Sequence, residues 1–230
     1  MKVSILLLTI DRYDETRYWV KKALDNAGYP FDLLCADNGS EDKRVIDLVS
    51  SWKPKLHLCQ GYNKGTTQSL NELISHHDSD AYVFIGNDIE MPDNWLKTLV
   101  EYAEAIPQSG VIGINWRPLE YEKEKINGKT ILKTDRVFGT MFVTKKTRTL
   151  VGKFCEDYGV YGLWDSDYSI RCEYAGLINY YVDKLNSEHR CNDVESESKY
   201  RKMKDESLAK AKPIFLSNVE KYKKGQWKIN

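Results

Sequence analysis

Residues Val83 to Leu96 read VFIGNDIEMPDNWL, and the fold is legible in them. The apolar, β-prone run Ala81 to Ile85 empties into a short acidic loop, after which Pro92 and Asn94 restart a helix at Trp95. In an extended segment, side chains two residues apart point the same way. Asp88 and Glu90 are therefore expected to project together from the carboxyl end of a strand, where open α/β sheets bind ligands. Two hard carboxylate donors suit Mg²⁺ or Mn²⁺, and such a cation suits a diphosphate. A polar turn that merely starts a helix fits the same residues.

Working outward, strand and helix signals alternate. Lys2 to Thr9 is a near-continuous apolar run, the signature of a strand buried in a parallel sheet. A helix over Glu15 to Ala27 stops at Gly28 and Pro30. Further strands are expected at 31–36, 55–59, 81–85 and 111–114, with helices at 41–51, 66–76 and 95–105 between them. The rhythm predicts an α/β fold, a doubly wound, Rossmann-like and mostly parallel sheet flanked by helices. After Asn115 the alternation breaks. Asn127-Gly128 marks a hairpin turn between KEKI and KTIL. A strand over 136–143, a helix over 164–175 and a last strand over 178–182 follow.

The 230 residues, 41% hydrophobic and 30% charged, suffice for one large globular domain. No apolar run reaches the length of a membrane span and Met1 to Ile10 is too short for a signal peptide, so a cytoplasmic location is expected. Five cysteines without CxxC spacing point to free buried thiols rather than disulfides or zinc. The net charge is zero, yet Lys199 to Asn230 carries ten Lys or Arg against three acids. The expected division is a domain over 1–195 and a basic, helical C-terminal extension over 196–230, packed on or beside it. That tail, with Tyr200, Tyr222 and Trp227 interleaved, fits a polyanionic partner, its own acidic body, or a solvated helix face.

Polar residues gather at three strand ends: Thr9, Asp11 and Arg12 after the first, Asp37 to Ser40 after the second, Asn87 to Glu90 after the fourth. Parallel strands emptying at one edge make a crevice. The first loop lacks GxGxxG, which argues against a dinucleotide cofactor. Asp37 suits either a nucleoside contact or an Asx turn, and Gly61 to Thr66 either a phosphate or sugar contact or a plain helix start. Asp165 and Asp167 stand near the start of a helix, where acids cap. One of them, free of that duty beside a metal, suits a general base. His189, beyond the last strand, suits a late metal ligand or a surface position.

With those residues assembled, the chain resembles family 2 glycosyltransferases of the GT-A fold over about residues 3–182. The motifs come in the family's order: Thr9-Ile-Asp11-Arg12, Asp37-Asn38-Gly-Ser40, Gly61-Tyr-Asn63-Lys-Gly65 with Asn71, Asn87-Asp88-Ile-Glu90 with Pro92 and Trp95, Phe138-Gly139, and Trp164-Asp165-Ser-Asp167-Tyr168 with Arg171. The resemblance implies an inverting, metal-dependent transferase that uses a nucleotide sugar, UDP-linked by first expectation. Thr9, Asp11, Arg12, Asp37, Asn38, Asn63, Gly65 and Asn87 would bind the donor nucleotide. Asp88 and Glu90 occupy the place of the DXD motif, and with His189 they would hold Mn²⁺ or Mg²⁺. Asp165 would be the catalytic base, with Gly139, Trp164, Asp167 and Arg171 supporting the acceptor side. Trp164 stands where the family's Glu-Asp motif has glutamate. The acceptor is expected to be a saccharide, with a hydroxylated DNA base second. A nucleotidyltransferase, whose glycine-rich first loop is missing here, and a non-catalytic nucleotide- or glycan-binding protein are the rivals. The transferred sugar and the oligomeric state are not legible.

Overall fold

The computed structural model describes residues 1–117, 120–190 and 199–230. Its strands are β1 (Val3–Thr9), β2 (Asp32–Asp37), β3 (Leu56–Cys59), β4 (Ala81–Ile85), β5 (Ile89–Glu90), β6 (Ser109–Asn115), β7 (Glu122–Ile126), β8 (Lys129–Lys133), β9 (Met141–Thr144), β10 (Ile178–Asn186) and β11 (Glu188–His189). The helices are α1 (Tyr13–Glu15), which continues through a π-helical segment (Thr16–Val20) into α2 (Lys21–Asp25), then α3 (Lys43–Ser51), α4 (Thr66–Ser75), α5 (Trp95–Ala105), α6 (Lys145–Val151), α7 (Trp164–Tyr174) and α8 (Lys199–Tyr222).

Nine strands form one sheet in the order β3-β2-β1-β4-β9-β6-β10-β8-β7, and β5 pairs with β11 in a separate two-stranded ladder. Strands β1 to β4 pair in parallel, as do β6 and β10, while β9 runs antiparallel between β4 and β6. The β7–β8 hairpin adds antiparallel strands at one edge, turning at Asn127-Gly128 as expected. The sheet is thus mostly parallel, with an antiparallel insertion that periodicity does not disclose.

Alternation along β1 builds two cores. Val3, Ile5 and Leu7 pack with Ala23, Leu96 and Leu99 of the helices on one side. Leu6 faces the other side, with Leu70 and Leu73 of α4, Tyr168 of α7 and Phe215 of α8. Each fully buried large apolar side chain of this kind contributes roughly 1.5–3 kcal/mol.

Three expectations change. Residues 136–140 are not strand, because their backbone donors go elsewhere: Val137 N–H to Ser169 Oγ at 3.1 Å and Phe138 N–H to Tyr181 Oη at 2.9 Å. Gly139 then turns with φ of 79°, a left-handed value that a glycine adopts at no steric cost. A helix, α6, follows β9, capped by Thr144 Oγ1 accepting from the Thr147 N–H. Of the cysteines, Cys35, Cys155 and Cys172 are free and buried, Cys59 is exposed, and Cys191 lies outside the described residues.

The boundary expected near residue 195 also lies outside the described residues, but α8 and the tail are tied to the body. Tyr222 Oη donates to Asp167 at 2.6 Å and Asn218 Nδ2 to Tyr158 Oη at 3.3 Å. Ile229 bridges to Gly152, where any Cβ would lie 1.8 Å from the Ile229 carbonyl oxygen. No helix among the described residues is long and apolar enough to cross a membrane.

Candidate active site

A cleft of about 430 Å³ opens at the carboxyl ends of β1 and β4. Thr9, Arg12, Asn38, Asn63, Asn87, Asp88, Gly139, Trp164, Asp165 and His189 line it, so ten of the expected residues converge from across the chain.

Asp88 lies in the turn after β4. Its Oδ2 is 3.1 Å from Arg12 Nη1 and 3.5 Å from His189 Nε2, and the carboxylate is mostly buried. Arg12 reaches it because Asp11 and Arg12 both take left-handed backbone conformations, with φ of 49° and 60°. His189 arrives through β11, whose partner β5 sets His189 opposite Ile89. Its ring packs against Trp116 at 5.2 Å between centroids. Asn87 Nδ2 donates to Thr16 Oγ1 at 3.2 Å, anchoring the acidic turn to the π-helical segment. Such segments recur at functional sites.

Glu90 does not line the cleft. Its carboxylate is held by Lys22 Nζ and by Arg190, whose Nε donates to Oε2 at 2.7 Å. Lys22 first, then Arg190, hold that carboxyl below its ordinary range. The pair expected to point the same way therefore diverges: Asp88 sits in a turn, where the two-residue alternation of a strand does not apply.

Asp37 is fully buried and spent on its own loop. It accepts from Thr9 Oγ1 at 3.0 Å, from the N–H groups of Gly39 and Ser40 at 3.2 and 2.8 Å, and from Ser40 Oγ. This is the Asx-turn role. Asp11 acts likewise, its Oδ1 accepting from Asp42 N–H at 3.0 Å. Neither lines the cleft; Asn38, beside Asp37, does, with Oδ1 accepting from Ser69 Oγ at 2.6 Å. Asn63 Oδ1 accepts from Gly65 N–H at 2.9 Å, and Gly65 is pressed against the 159–160 backbone, where a Cβ would lie 2.5 Å from the Gly159 oxygen.

Asp165 stands in the first turn of α7, half-buried on the cleft wall. Burial pushes its carboxyl up to about 6, opposed by the Ser166 N–H at 2.7 Å and the Arg117 charge. Tyr161 lies close enough to both acids that, after burial, the charges of Asp165 and Asp88 raise its phenol. Trp164 packs edge-on against Phe84 and Phe154, at 5.2 and 5.6 Å. Asp167 and Arg171 are sealed beneath, 2.8 Å apart and fully buried, and Tyr158 and Tyr222 also donate to Asp167. They build the floor under the site and do not face the cleft.

Sequence reasoning missed Trp116, Arg117, Tyr161 and Ser166, and Met203, Lys204 and Leu208 from α8, all of which line the cleft. Arg117 stacks over Trp116 and Phe138 at 4.5 and 4.7 Å. Nothing in the local pattern marks these residues, since Trp116 and Arg117 follow β6 without periodicity and α8 reaches the cleft only through long-range packing. The Trp116 Nε1 is buried with no hydrogen-bond partner among the described residues. No cluster of three or more metal-ligating side chains occurs among the described residues.

Comparison with known proteins agrees with this architecture. The profile of Glycosyl transferase family 2 matches residues 4–159. The glucosyl-dolichyl phosphate glucuronosyltransferase of Haloferax volcanii is 26% identical over 117 residues, 49% of this chain and 37% of that protein. Among solved structures, the mannosyltransferase PcManGT of Pyrobaculum calidifontis, in complex with GDP-Man and Mn²⁺, superposes with a TM-score of 0.69 at 16% identity, covering 84% of this chain and 58% of that one. TarS of S. aureus (residues 1–349) in complex with UDP-GlcNAc gives 0.62 at 13% identity over 86% and 61% of the two chains. GalNAc-T7 with UDP, GalNAc and Mn²⁺ gives 0.66 at 12% identity over 82% and 44%. These structures share the GT-A fold, and the present chain spans less than two thirds of the length of each relative. By the match over residues 4–159, more than half of its length, the chain belongs to glycosyl transferase family 2.

Proposed function

We propose that the protein transfers a sugar from a nucleoside diphosphate donor, UDP-linked by first expectation, to a hydroxyl acceptor by single displacement with inversion. The observation that carries this is the placement of Asp165, with its carboxyl raised to about 6, on the same cleft wall system as Asp88 and His189. A base poised near neutral pH is what general-base catalysis needs.

The polar lining suits the donor. Asn38, Asn63 and Thr9 face the nucleoside end, and Arg12 lies beside Asp88, where a diphosphate meets a cation. Asp88 and His189 would hold Mn²⁺ or Mg²⁺. Their facing atoms, 3.5 Å apart, suit adjacent positions on one ion, and two protein ligands suffice where diphosphate and water supply the rest. When bound, the cation neutralises charge on the departing diphosphate. Asp165 accepts the proton of the acceptor hydroxyl as that oxygen attacks the anomeric carbon. Trp116, Tyr161 and Trp164 exclude water and orient the two substrates, the positioning on which much of the rate depends.

The acceptor is a saccharide in the first reading. Lys204 of the basic helix α8 lines the cleft near Tyr161, which favours as the second reading a polyanionic acceptor such as DNA carrying a hydroxylated base. The raised carboxyl of Asp165 on the cleft wall favours a catalytic over a purely binding role. The test is thermal shift against nucleoside diphosphates with and without Mn²⁺, followed by turnover of the best donor by the wild type and Asp165→Asn. Mn²⁺-dependent stabilisation with turnover lost in the variant is the expected result. Full turnover by the variant overturns the base assignment, and no shift with any nucleotide overturns the reading.

A further inference from the structure

Glu90 belongs to the acidic motif yet faces away from the cleft, and its partners suggest what it does. The β5–β11 ladder comprises two residue pairs, Glu90 with Glu188 and Ile89 with His189. So short a ladder holds little by itself. Arg190 reinforces it three ways. Its N–H donates to the Asp88 carbonyl at 2.8 Å, its Nε donates to Glu90 Oε2 at 2.7 Å, and its Nη2 lies 2.5 Å from both Glu90 and Glu188 carboxylates. Lys22 binds the other oxygen of Glu90, and the Arg190 guanidinium covers the Trp19 ring at 5.4 Å. On the opposite side the His189 ring rests on Trp116. His189 is 37% exposed in its side chain, so neither burial nor a long strand fixes it.

We propose that Glu90 and Arg190, backed by Lys22, form a clamp that positions His189 beside Asp88 and thereby sets the affinity of the divalent-cation site. Glu90 is a positioning residue and not a ligand. The inference rests on the reading that Asp88 and His189 hold the cation. Exposed ion pairs contribute little to global stability, but ligand geometry must be held within about half an ångström, and lost outer partners typically cost roughly 10–100-fold in metal affinity. The clamp's effect therefore falls on metal binding and leaves the fold intact.

The experiment is titration of Mn²⁺ by the electron paramagnetic resonance of the free ion, with saturating UDP, on wild type, Glu90→Gln, Arg190→Ala, Arg190→Lys and the Glu90→Gln/Arg190→Ala double variant. Melting temperatures without metal are measured in parallel. Each truncation is expected to weaken Mn²⁺ binding about 10-fold. The double variant should be no worse than the poorer single, because the two act as one device. Arg190→Lys should recover part of the loss, and metal-free melting should stay constant. Wild-type affinity in the variants overturns the clamp. So does abolition of Mn²⁺ binding by Glu90→Gln with Arg190→Ala unaffected, which would make Glu90 a ligand. A wild type that binds no Mn²⁺ with any nucleoside diphosphate removes the underlying reading, a different failure from unchanged variants.

Discussion

Asp165 and Asp167 stand two residues apart in the first turn of α7 and meet opposite surroundings. Asp165 faces the cleft with one N–H partner, from Ser166, while Asp167 is sealed among Arg171, Tyr158 and Tyr222. A helix turns about 100° per residue, so a spacing of two sends side chains to nearly opposite sides. One carboxylate is left reactive and the other becomes structural.

Asp165→Asn is expected to abolish turnover and to stabilise the protein above pH 6. The folded-state carboxyl titrates near 6, above its unfolded value of about 3.9. Its favourable contribution is complete below the unfolded pKa and is lost as pH rises through the folded one, a change of about 3 kcal/mol at most. The amide cannot ionise and keeps that stability. Calorimetry at pH 4 and pH 8 should show the variant's advantage only at pH 8; equal melting at both would refute the buried-carboxylate account.

The same carboxyl sets the pH dependence of catalysis. With Asp165 as base, kcat/KM should fall below about pH 6, tenfold per unit. A profile flat down to pH 5 would place the base elsewhere.

Asp167→Ala leaves the fully buried Arg171 guanidinium without its carboxylate and strips the acceptor from two tyrosine hydroxyls. Breaking a buried pair from one side costs about 3–5 kcal/mol. Urea unfolding measures it. Asp167 does not line the cleft, so at low temperature the folded fraction should still bind UDP with wild-type affinity. Selective loss of nucleotide binding without loss of stability would contradict the structural role.

Trp164, expected from the resemblance to stand where the family has glutamate, is part of an aromatic cluster with Phe84 and Phe154. Trp164→Glu is expected to destabilise by about 3–5 kcal/mol, combining lost aromatic burial with a buried charge. A melting temperature at or above that of the wild type would show that the tryptophan is not needed to hold the cleft wall.

Asp88→Asn and His189→Ala should each remove most of the Mn²⁺-dependent part of the UDP thermal shift while leaving the metal-free melting temperature within a few degrees. Binding to the native state raises stability by mass action, so this difference isolates the cation. Retention of the full Mn²⁺ effect in both variants would exclude the pair as ligands.

Local sequence determined most of the elements. Continuous apolar runs marked the parallel strands, and turn chemistry marked the hairpin at Asn127-Gly128, because these signals depend only on neighbours in the chain. Motif order sufficed to bring Thr9, Arg12, Asn38, Asn63, Asp88, Asp165 and His189 to one cleft. What tertiary structure alone decided was where each carboxylate spends its charge. Asp37 satisfies its own loop, Asp167 neutralises Arg171, Glu90 pairs with Arg190, and among the described residues only the carboxylates of Asp88 and Asp165 line the cleft. The antiparallel insertion of β9 and the arrival of α8 at the cleft are likewise invisible locally. The reason is physical: a carboxylate's role is fixed by burial and by partners up to a hundred residues away in the chain, as for Arg190 and Glu90, and no spacing rule encodes those distances.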